Sequence, residues 1–170
     1  MGKMGTGITT QVQVLKNDEW VNSYEAIFQR HYGQSYEPFS EQNYGLFGFL
    51  AGVSNYALVP ILSEPRGFPE SEVPDFGKGL GAAHLRSEWE PWPQHRDNYS
   101  PTWFLVSELI AYDYDTVFEN RRNERDSVPV GSGEMITVRE YIGPKFFEEL
   151  SVLEKLGDPE KTRVVMSFYS

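Results

Sequence analysis

A chain of 170 residues, 39% of them hydrophobic and 15% aromatic, fits one globular domain and is long enough to bury a core without disulfides or structural metal. Its formal net charge of −10 opposes non-specific binding to nucleic acid or anionic lipid, while leaving room for a small anion at a local patch of Arg and His. The absence of cysteine removes disulfides, thiolate metal sites and cysteine nucleophiles. No run approaches the ~18 uninterrupted apolar residues of a membrane span. Residues 1–5 lack the apolar stretch of a signal peptide, so a cytoplasmic location is expected.

Taken in chain order, Ile8 to Lys16 alternates like a strand, with Ile8, Thr10, Val12 and Val14 on one face and Thr9, Gln11, Gln13 and Leu15 on the other. Asn17-Asp18-Glu19 is a turn cluster, and Trp20 to Tyr24 is the predicted returning strand of a hairpin. Residues 25–40 read as irregular around His31-Tyr32-Gly33. From Ser40, Tyr44, Phe47, Leu50 and Ala51 recur at helical spacing, which predicts a helix capped by Ser40 and stopped at Gly52. Gly45 and Gly48 on that helix offer close approach to another backbone.

Residues 57–101, punctuated by seven prolines and four glycines, form the longest irregular stretch, and long loops in compact domains are often functional. A short strand over Trp103–Val106 is predicted next, then a brief helix capped by Ser107 with Glu108 in its first turn. Asp115 to Glu119 is a further short strand, and Arg121 to Asp126 a solvated charged edge. Thr137 opens a helical turn and Pro144 suits the first position of a new helix. Phe146, Leu150 and Leu153 set the buried stripe of that helix, leaving Glu148, Glu149, Glu154 and Lys155 toward water, with Gly157 as its C′ glycine. Arg163 to Tyr169 is apolar enough to lie centrally in a sheet. The sum is a single-domain α+β fold: an antiparallel or mixed sheet containing both chain ends, helices on one face and a long central loop excursion.

Several segments resemble a family of uncharacterised small proteins found in bacteriophages and bacterial genomes. The resemblance rests on Asn43–Val53, Pro65–Pro69, Thr102–Leu109 with Tyr112-Asp113, Val138–Gly143, and Gly157–Glu160 leading into Arg163-Val164-Val165. It spans most of the chain. Family members often carry Cys-Asp-Ile-His where this chain has Thr6-Gly7-Ile8-Thr9, and a pair of histidines where it has Tyr99-Ser100-Pro101-Thr102. If the family's histidines are catalytic or metal-binding, this chain has lost that chemistry, which favours a binding role here or a family role that never needed them. The resemblance supplies a phage setting and, with it, the host cytoplasm.

The candidate ligand-binding residues are Arg66, His84, Arg86, Trp89, Trp92, His95, Arg96, Tyr99 and Trp103. Indole and phenol rings stack on nucleobases, and guanidinium forks grip phosphate oxygens, so this mixture suits a small anionic nucleotide-like ligand. The same rings also pin a Pro-rich loop to its domain by burial alone. His31, His84 and His95 match no metal-ligand spacing, so no metal or other cofactor is expected. Asp113 and Asp115, two apart in a strand, are a conceivable acid–base pair, yet no hydrolase motif accompanies them, and no catalytic residue is assigned. In the phage setting the expected function is sequestration of a host nucleotide-type immune signal, a cyclic nucleotide or ADP-ribose derivative, without turnover. The alternatives are an acidic protein-binding inhibitor or DNA mimic, and a nucleotide-directed hydrolase. Self-association into a homo-oligomer is an alternative use of the Gly45/Gly48 helix face, and neither nucleic acid nor membrane is an expected partner.

Overall fold

The computed structural model describes residues 5–69, 98–121 and 133–170. Eight strands and four helices build it: β1 Gly7–Lys16, β2 Glu19–Asn22, β3 Phe28–Arg30, β4 Gly33–Ser35, α1 Tyr44–Ala51, β5 Asn98–Leu105, α2 Val106–Ala111, β6 Val117–Asn120, β7 Glu134–Thr137, α3 Val138–Ile142, α4 Pro144–Leu156 and β8 Thr162–Tyr169. The main sheet is antiparallel with order β2-β1-β8-β5, and β3-β4 and β6-β7 are separate two-stranded ribbons. The fold is α+β, with β1 and β8 paired along almost their whole length from Gly7↔Tyr169 to Val14↔Thr162.

The alternation in β1 decides the layering. Ile8 and Val12 face Val164, Met166 and Phe168 of β8 and Phe104 of β5, and with the helices they form one buried cluster. Phe47 of α1 stands edge-on to Phe168 at 5.4 Å, while Leu109 of α2 and Leu153 of α4 are completely buried beside them. A second layer of rings, Phe39, Phe49, Tyr112, Tyr114, Phe146 and Phe147, joins α1 to α4 through tilted and edge-on contacts of 4.9–5.8 Å. Each contact of this kind adds about 0.5–1.5 kcal/mol beyond area burial.

Local chemistry explains most boundaries, and it corrects several expectations. The β1–β2 hairpin turns through Asn17 and Asp18, both at positive φ (53° and 64°), the conformation that matches strand twist. Residues 25–40 are not irregular throughout: β3 and β4 form a three-residue ribbon about His31 and Tyr32. α1 begins three residues later than the Ser40 cap predicts, because the Asn43 side chain accepts the Leu46 N–H at 3.1 Å. Ser40 instead accepts from Arg30 Nε at 3.0 Å. Gly52 ends α1 in the left-handed region as expected. Side chains at Gly45 and Gly48 would collide with Tyr141 and Asn55, so within the fold these glycines admit α3 and the following loop.

β5 starts at Asn98, well before Trp103, and absorbs Pro101 at a bulge between Tyr99 and Thr102, where an edge strand tolerates a missing N–H. Leu105, not Ser107, precedes α2; Glu108 reaches back to accept the Leu105 N–H at 2.9 Å. Residues 113–116 form a turn, so the strand comes later, as β6, and pairs with β7, which the sequence pattern did not reveal. Gly157 has φ −175°, an extended conformation, so no left-handed cap ends α4. Glu149 does not face water. It is buried at 3% exposure and meets Arg30, also buried, at 2.5 Å.

Among the described residues no helix is long and apolar enough to cross a membrane.

Candidate functional site

The face of the sheet turned away from the helical core is polar and aromatic. Gln11 and Gln13 of β1, Arg163, Val165 and Ser167 of β8, Trp103 of β5 and Trp20 of β2 all project there by strand alternation and register. Gln11, Gln13, Val165 and Ser167 are completely buried and Arg163 is 4% exposed, whereas both indoles remain half-buried. A buried guanidinium needs compensation. Arg163 finds it in the side-chain amide oxygen Oε1 of Gln13, which accepts from Nε at 2.8 Å, and in the indole of Trp20 at 4.1 Å from its Cζ. Trp103 lies 5.6 Å away on its other neighbour strand. Gln11 spends its amide N–H groups on the carbonyls of Val12 and Ser23, leaving its Oε1 without a partner among the described residues.

Trp103 has a second cation. The segment carrying Arg66 runs beside β5, held by the Gly67 N–H on the Pro101 carbonyl at 2.8 Å and the Arg66 N–H on Thr102 Oγ1 at 3.1 Å. This places the Arg66 guanidinium 4.9 Å from the Trp103 ring and 4.8 Å from that of Phe104. Trp20, Arg163, Trp103 and Arg66 therefore form an alternating ladder of indoles and guanidiniums across the sheet. Such contacts contribute ~0.5–1 kcal/mol each where exposed and about 2 where desolvated.

Arg66 is the accessible rung. Its fork grips both carboxylate oxygens of Glu108, at 2.8 and 2.7 Å, and Nη1 also reaches the Trp103 carbonyl at 3.1 Å. The guanidinium beside it, aided by the Leu105 N–H, holds the Glu108 carboxyl below its ordinary value of 4.5 against a smaller opposing effect of burial. Glu108 therefore contributes stability that is fully present above about pH 5 and is lost as pH falls through its lowered folded-state value. Because the pair is about one-third exposed, solvent screening keeps that contribution within ~1 kcal/mol. Urea midpoints for wild type and Glu108→Gln are expected to differ most at neutral pH and to converge toward pH 3; a gap that widens in acid would contradict this.

Of the sequence-nominated residues, the structure brings Arg66 and Trp103 together. Tyr99 is separated from them: it pairs with Phe168, packs against the helical core, and its hydroxyl meets Ser170 at 2.8 Å. His84, Arg86, Trp89, Trp92, His95 and Arg96 lie outside the described residues. Trp20 and Arg163 are the members the sequence reading missed. Their signal was present in the alternation itself, since Gln11, Gln13 and Arg163 are polar positions in strands otherwise rich in apolar residues.

Asp113 and Asp115 do not converge as a strand pair: Asp113 accepts the Asp115 N–H within a turn, and Asp115 binds Arg139 Nε at 3.0 Å. His31 is exposed on the β3–β4 turn, edge-on to Tyr32. Among the described residues no group of three His, Asp or Glu stands close enough to hold a metal ion. Comparison of the chain with family models, curated proteins and solved structures finds no match.

Proposed function

We propose that this chain binds a planar, phosphorylated small molecule and holds it without turnover. The phage-type resemblance gives the setting: a bacteriophage protein in the host cytoplasm that sequesters a cyclic-nucleotide or ADP-ribose-type immune signal. The observation that supports the reading is the contact of Trp103 with Arg66 at the root of the 57–101 stretch, where ring-rich and cation-rich sequence is concentrated. An indole offers a stacking face for a base of any identity, and an arginine fork matches a phosphate as well as it matches Glu108. Arg163, buried beneath, acts as a positioning residue that braces the indoles.

Calorimetric titration of the purified chain with cyclic di- and trinucleotides and with ADP-ribose is the direct test, run beside chromatography of the incubated nucleotides. The expected result is saturable heat with at least one of them and recovery of that nucleotide unchanged. Arg66→Ala should then weaken binding by roughly 10–150-fold, the value of ~1.5–3 kcal/mol for hydrogen bonds to a charged group. Silence with every nucleotide ends the proposal, and product formation transfers it to a hydrolase.

A further inference from the structure

We infer that the groove between α3 and α4 is a docking site for a basic peptide segment with an apolar anchor, independent of the nucleotide reading. Gly143 creates the groove. At φ 89° and ψ 170° it occupies a backbone region essentially closed to other residues, and the chain passes from α3 to α4 with open space where a side chain would stand. The hollow left beside this joint measures about 540 Å³, within the range of ligand sites.

Its floor is the ring of Phe147, fixed edge-on against Tyr114 at 4.9 Å and Phe146 at 5.0 Å, with Pro144 extending the apolar surface. Its rim is charged. Arg139 lies 5.0 Å over the Phe147 ring and pairs with Asp115, whereas the exposed Glu140 and Glu148 have no ion-pair partner among the described residues. Hydrogen bonds from the Thr137 N–H and hydroxyl lower the Glu140 carboxyl from its ordinary value, which favours its charged form.

The occupant follows from this chemistry. Carboxylates on both walls repel a phosphate or an acidic chain and attract Lys or Arg flanking an apolar side chain that covers Phe147. Arg139, Glu140, Pro144 and Glu148 are all exposed, so the groove is open along its length. That shape suits a peptide running through it better than a small molecule, which a pocket normally encloses.

The test uses the full ¹⁵N-labelled chain and three synthetic peptides: acetyl-Lys-Leu-Phe-Lys-amide, acetyl-Glu-Leu-Phe-Glu-amide and acetyl-Lys-Ser-Ser-Lys-amide. The first is expected to cause saturable amide shifts centred on residues 139–151 that weaken several-fold as salt rises. The other two should bind at least about tenfold more weakly, through charge mismatch and the missing anchor respectively. Glu148→Lys and Ser151→Trp alter exposed positions of α4, so both are expected to keep the wild-type circular dichroism spectrum while each reduces affinity by about fivefold or more. No shifts, equal binding of the acidic peptide, or shifts that survive both substitutions would each overturn the inference.

Discussion

Glu149→Ala is expected to destabilise the protein by about 3–5 kcal/mol, the cost of leaving a buried charge without its partner. The carboxylate meets both terminal nitrogens of Arg30 and accepts the Phe39 N–H at 2.6 Å, with Lys145 at 3.6 Å. Removing it leaves the Arg30 guanidinium among the carbonyls of Gln29 and Glu37 and the Ser40 hydroxyl, with only the longer-range attraction of the half-buried Glu37 carboxylate to offset its charge. The pair joins residues 119 apart and attaches the β3–β4 ribbon to α4. For a chain of this length the loss corresponds to a fall in Tm of roughly 6–20 °C by scanning calorimetry. Glu149→Gln keeps an acceptor for Phe39 and should fall between. Arg30→Met with Glu149→Leu removes both charges and should recover much of the loss. A cost below about 1 kcal/mol for Glu149→Ala would mean the pair behaves as a surface ion pair and does not anchor the ribbon.

That ion pair also marks where sequence reasoning stops. In α4 the stripe Phe146, Leu150 and Leu153 was legible because apolar spacing reports burial directly. Glu149 sits between Glu148 and Leu150 with the look of a solvated residue, and only the partner on a ribbon more than a hundred residues away turns it inward. The same asymmetry separates β1 and β8 from β6 and β7. Long alternating strands advertise themselves, whereas a four-residue ribbon such as Glu134–Thr137 is defined by its pairing. Capping shows a third kind of miss: Ser40 and Ser107 have good capping chemistry, but Asn43 and Glu108 stand nearer the first free N–H groups.

The site divides along similar lines. Arg66 and Trp103 were legible as residue types suited to a phosphorylated ring, and their contact follows from Gly67 and Thr102 holding the loop against β5. Trp20 and Arg163 required register: Gln13 pairs with Asn22 on one side and Arg163 on the other, and this brings the Trp20 ring to the guanidinium. Tyr99 shows the converse. A bulge between it and Thr102 shifts the register of β5, and the ring joins the core side instead.

Trp103→Ala is the substitution that tests the ladder as a unit, because it removes the ring shared by two guanidiniums. Two cation–ring contacts and a half-buried indole are lost together, for a combined destabilisation of about 2–4 kcal/mol. Trp103→Phe retains a ring and should cost about 1 kcal/mol, mainly through its weaker attraction for a cation. A cycle with Arg163→Met separates packing from coupling, since mutually dependent contacts depart from additivity by at least about 0.5 kcal/mol. If the two substitutions add, Arg163 and Trp103 are merely neighbours and the bracing role fails. Nucleotide affinity gives an independent axis: loss of a stacking face costs ~1–3 kcal/mol, or roughly 5–150-fold, and Trp103→Phe should retain most of it. A wild type that binds nucleotide and a Trp103→Ala variant that binds it equally well would separate the ladder's structural role from any ligand, moving the binding surface away from β5.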